Sequence, residues 1–195
     1  MNRRVNTETT GVAEFSGFAQ DVDASVLARA QHGDMRAFAE LYARFSGPCF
    51  NLVLRLVGGK SQAEDLVQEV FLKLFDTIRS FRGDAPFGAW LKRMAVNAAI
   101  DQLRSRRRFS EVDPDAMFAG LATTDASITP SMDAWSLLQR LPPRARAVVV
   151  LHQLEGYTHS EIATLFRQSE SYSKSILARA LQRLHAFVSP TANKL

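Results

Sequence analysis

Between Glu170 and Arg183 the sequence sets Ser171, Tyr172, Lys174, Ser175, Arg179 and Arg183 around a helix, outside the apolar stripe Leu177, Ala180, Leu181, Leu184 and Val188. Arg and Lys donate to guanine acceptors and phosphates, and Ser and Tyr hydroxyls serve either, which is the chemistry of a helix in the major groove. A solvated face of an ordinary helical bundle has the same pattern. A second set, Asp65, Gln68 and Glu69, makes an acidic row, and a third is the aromatic and basic run "FRGDAPFGAWLKRMAVNAAIDQLRSRRR" from Phe81 to Arg108. No nucleophile with its base, metal cluster or glycine-rich phosphate loop accompanies them, so binding without catalysis or cofactor is expected. Cys49 is the only cysteine, which excludes an intramolecular disulfide, and the four histidines have no metal-ligand spacing with it or with one another.

Each set needs a helix to position it. Thr158 and Glu161 have capping-box spacing and open a helix through Phe166. Arg167-Gln168-Ser169 then provides a three-residue turn with Ser169 as the next cap, and Ala163 is small where the following helix must cross. Arg167 stands where such turns usually place glycine, so this turn must be made with a residue that resists positive φ or with altered geometry. Ser61 and Glu64 predict a second capping box. From there Ala63, Leu66, Val67, Val70, Phe71, Leu74 and Ile78 recur at helical spacing and leave Asp65, Gln68, Glu69 and Asp76 on the opposite face. In "FGAWLKRMAVNAAIDQLRSRRR", Trp90, Leu91, Met94, Ala95, Ala98 and Leu103 point inward.

Upstream, "DASVLARAQHGD" gives a short helix ended by Gly33, and Asp34 caps "MRAFAELYARF". Gly47 and Pro48 are expected to break or kink that helix before "CFNLVLRLVGG" resumes it. Downstream, "MDAWSLLQRL" is a short helix, and Pro142 or Pro143 suits the first turn of another that runs to Gly156. No strand pattern competes.

The expected architecture is all-α: two small helical domains joined by a flexible acidic linker, the C-terminal one a helix-turn-helix. Residues 1–20 form a mobile tail, 21–108 the first domain, 109–133 the linker and 134–189 the second domain. The only charges in the linker are Glu111, Asp113, Asp115, Asp125 and Asp133. Net charge is only +4, so any affinity for nucleic acid must come from local clusters. No apolar run is long enough for a signal peptide or a membrane span, which predicts a cytoplasmic protein with no direct membrane insertion.

Together the halves resemble an extracytoplasmic-function (ECF) sigma factor, the smallest class of promoter-specificity subunit of bacterial RNA polymerase. "AEDLVQEVFLKLF" and the run from Phe81 to Arg108 resemble region 2 of that family; "LPPRARAVVVLHQLEGYTHSEIATLF" and "SESYSKSILARALQRL" resemble region 4. The resemblance implies that Asp65, Gln68 and Glu69 dock on a basic coiled coil of the polymerase's largest subunit. It implies that Phe81, Arg82, Asp84 and Phe87 form the loop that captures a base flipped from the minus-ten element, with Asn97 and Asp101 reading the same element. Arg104, Arg106, Arg107 and Arg108 would then grip phosphates, while also answering the dipole at a helix C-terminus. For Phe87 a core position is an equal alternative. The helix-turn-helix would read the minus-thirty-five element through Ser171, Tyr172, Lys174, Ser175, Arg179 and Arg183. In the family, apolar residues usually stand where this chain has Gln168 and Ser173. Core RNA polymerase, promoter DNA and an anti-sigma factor are the implied partners.

One reading helix buries about 600–1,000 Å² and each good base contact is worth roughly 1–3 kcal/mol, too little to select a promoter from a genome. Two modules can. A linker over residues 109–133 could stretch to about 85 Å, enough for elements two helical turns, or ~70 Å, apart. Nothing in its sequence fixes that distance, so a rigid partner must. The rival readings are an autonomous helix-turn-helix regulator that binds duplex DNA as a dimer, and a helical adaptor that binds only proteins.

Overall fold

The computed structural model describes residues 17–105, Phe118 and residues 134–188. Among them the regular structure is helical, as expected. The N-terminal half holds α1 (Ala24–Gln31), α2 (Met35–Val57), α3 (Lys60–Thr77), a 3₁₀ turn (Ile78–Ser80) and α4 (Phe87–Ser105). The C-terminal half holds α5 (Ala134–Gln139), α6 (Pro143–Val149), a π-helical turn (Val150–Leu154), α7 (His159–Phe166) and α8 (Glu170–Val188).

The caps explain most of the boundaries. Asp23 accepts from the Ser25 amide at 2.7 Å and opens α1; Asp34 accepts from the Arg36 and Ala37 amides and opens α2. Pro143 starts α6, where its missing N–H leaves no helical bond unmade. The expected box at Ser61 does not form. Gly58 in a left-handed conformation and extended Gly59 turn the chain so tightly that α3 already begins at Lys60, which puts Ser61 one residue inside the helix. Lys60 and Glu64 pair across the exposed first turn instead, at 3.9 Å.

Gly47 and Pro48 do not break α2, which is one helix of 23 residues. A helix-interior proline costs about 3 kcal/mol or more. Against that stands the burial of Phe45, Cys49, Leu52, Val53 and Leu56 on the face that packs on α3 and α4. Each such side chain is worth roughly 1.5–3 kcal/mol, so packing outweighs the local defect. Burial pushes the Cys49 thiol up to about 12, so it stays a protonated, small apolar group.

Residues 17–20, expected to belong to a mobile tail, pack against the helices. Phe18 is 4% exposed and stacks on Phe45 with ring centroids 6.4 Å apart. The backbone there lies so close to α4 that a Cβ at Gly88 would collide with the Phe18 carbonyl. The linker expected over 109–133 lies outside the described residues apart from Phe118, which packs half-buried against the core.

The two halves are in contact. α2 and α4 pack against α6, α4 also packs against α7, and the buried side chains of both halves form one contiguous apolar cluster.

Candidate nucleic-acid interface

On α3, Ala63, Leu66, Val67, Val70, Phe71 and Leu74 are buried, which leaves Asp65, Gln68 and Glu69 exposed on the outer face. That face is not purely acidic: Leu72 (67% exposed) and Phe75 (46%) stand among the carboxylates. A groove of about 460 Å³ runs between α3 and α4, lined by Glu69, Lys73, Met94, Asp101 and Gln102 among others. It joins one member of the acidic row to one of the α4 residues, a proximity the sequence pattern did not indicate.

The turn before α4 holds Arg82 and Asp84 exposed. Phe81 is half-buried, edge-on to Phe87 at 5.6 Å and tilted against Trp90 at 5.2 Å. Phe87 itself is 4% exposed and packs against Phe45 at 5.4 Å. It is therefore a core residue that backs the cluster and is not a surface contact, because the first turn of α4 faces α2. Gln31 at the end of α1 donates from Nε2 to the Phe81 carbonyl at 2.8 Å and to the Ile78 carbonyl at 3.3 Å, tying the turn to a distant helix. No motif marked Gln31.

Asn97 and Asp101 are exposed one turn apart on α4, and Asp101 pairs with half-buried Arg104 at 2.7 Å. That pair spends part of the basic run within the helix. Arg106, Arg107 and Arg108 lie outside the described residues.

In the C-terminal half the Thr158–Glu161 box is present in both directions: the Glu161 amide donates to Thr158 Oγ1 at 3.2 Å, and the Thr158 amide to Glu161 Oε2 at 2.8 Å. The amide bond from Thr158 is the main reason the Glu161 carboxyl titrates below the usual range. The turn runs through Arg167 at φ 54° and ψ 48°, the left-handed conformation glycine would take at lower cost. Ser169 caps α8, accepting from the Tyr172 amide at 3.1 Å. α7 and α8 thus form the expected helix-turn-helix.

On α8, Ser171 and Lys174 are exposed, and Ser175, Arg179 and Arg183 partly so. Lys174 leans on Glu170 one turn back at 3.5 Å. Tyr172, expected on the outer face, is instead 8% exposed, on the inner face with Ser173, Ile176, Leu177 and Ala180. Burial pushes its phenol up. The expected inner stripe began at Leu177, a turn too late, because the polar residues Tyr172 and Ser173 hid its start. Ser173 is fully buried, and its hydroxyl lies 3.0 Å from Nδ1 of His159, whose ring stacks on His152 with centroids 4.4 Å apart. The hydroxyl that replaces an apolar residue is thereby hydrogen-bonded. Burial, and then His152, hold His159 below the ordinary histidine value.

Among the described residues no helix is long and apolar enough to cross a membrane. Residues 41–109 match the family model Sigma-70 region 2, and residues 131–184 match Sigma-70, region 4. The ECF RNA polymerase sigma factor SigM of Mycobacterium tuberculosis is 31% identical over 170 residues, which cover 87% of this chain and 86% of SigM. The ECF RNA polymerase sigma-E factor of Escherichia coli is 30% identical over 185 residues, covering 88% and 96%. The sigma factor RpoE of Bartonella quintana, solved with the anti-sigma factor NepR, shares the fold at 19% identity and a TM-score of 0.51, over 80% of this chain and 98% of that one.

Proposed function

Since the chain belongs to the ECF family of RNA polymerase sigma factors, we propose that it binds core RNA polymerase, selects promoters through their minus-ten and minus-thirty-five elements, and performs no catalysis itself. The observation that carries this reading is that one chain turns two chemically opposite helix faces outward: carboxylates on α3, hydroxyls and cations on α8.

In this reading Asp65, Gln68 and Glu69 meet a basic surface of the polymerase, with Leu72 and Phe75 supplying the apolar area that charges alone lack. A base unstacked from the minus-ten element would lie against Phe81 and Trp90, held by Arg82 and Asp84, while Phe87 keeps the ring cluster rigid from behind. Unstacking costs a few kcal/mol per base and stacking on an aromatic ring returns about 1–3, so a pre-formed cluster makes the exchange close to balanced. Asn97 and Asp101 would face the same strand, with Arg104 and the arginines after it along the phosphates. Ser171, Lys174, Ser175, Arg179 and Arg183 would read the minus-thirty-five duplex. The partners are core polymerase in the cytoplasm, promoter DNA and, as for the Bartonella relative, an anti-sigma factor.

Purified protein added to bacterial core polymerase should give run-off transcripts from a cognate promoter, which sequencing of RNA 5′ ends after overexpression would supply. A free chain that footprints a palindrome as well without polymerase would establish the autonomous regulator instead.

A further inference from the structure

The seam between the two halves is built around one carboxylate. Glu155, just after the π-helical turn, has a side chain only 1% exposed. Its Oε1 accepts from Arg55 Nη2 of α2 at 2.8 Å, and its Oε2 lies 2.7 Å from Lys92 Nζ of α4, so it bridges two helices of the other half. Lys92 also reaches the Glu155 carbonyl at 3.4 Å and sits 5.7 Å from the centre of the Tyr157 ring. The wide turn delivers Glu155 there: its amide bonds back to the Val150 carbonyl at 3.0 Å, one residue further than an α-helix would allow. Close by, Arg146 is 5% exposed and its Nη2 lies 3.5 Å from the Leu56 carbonyl, one of the unpaired carbonyls at the negative end of α2. Gly58 makes room for it, since a Cβ there would collide with the guanidinium.

We propose that this seam is a latch: Glu155 holds the two reading modules folded together in a resting state, and must release Arg55 and Lys92 before the modules can separate. With α4 and α7 in contact and each reading helix of 19 residues about 28 Å long, the packed form cannot set α4 and α8 on elements ~70 Å apart. That consequence rests on the two-element reading; the latch does not. A buried ion group of this kind roughly breaks even between attraction and desolvation while it is complete, but removing one member leaves the other charges buried and uncompensated, which works against the apolar contacts that close the seam. The intact group therefore keeps the modules docked, and a polymerase surface that offers Arg55, Lys92 or Glu155 other partners opens it.

Small-angle scattering of the full chain tests the latch with no DNA or polymerase present. Wild-type protein should be near the radius of gyration of ~16 Å that compact packing of 195 residues gives, allowing for its termini. Glu155→Gln should raise it by about a third, with unchanged helicity by circular dichroism. Lys92→Gln breaks the same contact from the other module, so loss of fold in one variant leaves the other to decide. Wild type already as extended as both variants, or folded variants as compact as wild type, would overturn the proposal. In a second arm, Arg55→Cys with Glu155→Cys bridged by a short bis-maleimide should abolish two-element transcription that the unbridged double variant supports. Full transcription from the bridged protein would overturn the requirement for opening. No transcription from any form, wild type included, would count against the promoter reading and leave the scattering result standing.

Discussion

α3 and α8 are both amphipathic helices that turn a polar face outward, yet they are built differently inside. The inner face of α3 is apolar without exception from Ala63 to Leu74. That of α8 begins with Tyr172 and Ser173, and is completed by a hydrogen bond to His159 on the neighbouring helix. A uniformly apolar face fixes its own orientation, because any rotation exposes hydrocarbon. A face that begins polar is oriented only by a partner able to satisfy it, and so its outward residues cannot be assigned until that partner is in place.

The largest effects are expected on α3. Leu74→Ala leaves a cavity at a fully buried site and should cost about 2–5 kcal/mol in denaturant unfolding; a cost below 1 would mean that α3 is not anchored as described. Reversing charge on its outer face, with Asp65→Lys and Glu69→Lys together, should weaken association with core polymerase by roughly 100-fold while the melting temperature stays put. Equal association would remove α3 as the docking helix.

On α8 the expected effects are smaller and divide by face. Lys174→Ala should reduce discrimination between cognate and altered minus-thirty-five duplexes by roughly 1–3 kcal/mol, measured with the polymerase-bound protein. Tyr172→Phe should leave discrimination untouched, since the ring is buried; a loss there equal to that of Lys174→Ala would return Tyr172 to the outer face. The least effect comes from pH. His159 titrates below its ordinary value of 6.5, so the folded protein favours its neutral form. The resulting stability is complete above about pH 6.5 and is lost as pH falls through the lower folded value. Thermal melts from pH 8 to 5 should therefore decline at the acidic end, and His159→Gln should flatten that decline. A slope unchanged by the substitution would place its origin elsewhere.

The capping residues Asp34, Thr158 and Ser169, the turn over Arg167-Gln168-Ser169 and the outward carboxylates of α3 were legible in the sequence. Each depends on groups within four residues of one another or on a simple period. Elsewhere a distant segment decided. Pro48 stays helical because α3 and α4 bury its neighbours, Phe18 is ordered because Phe45 and Gly88 receive it, and Phe87, for which the sequence left core and DNA contact equally open, takes the core position against α2. Tyr172 turns inward with Ser173, whose hydroxyl finds His159.

The set of helices, the helix-turn-helix and the two outward chemistries follow from the order of residues alone, because backbone hydrogen-bond satisfaction and helical periodicity are settled among near neighbours. That the halves share one core and that Glu155 closes the seam between them follows only from how the helices pack. A lone acidic residue before a glycine carries no local mark of its use. Its role exists only once Arg55 and Lys92, 100 and 63 positions away, have been brought to it.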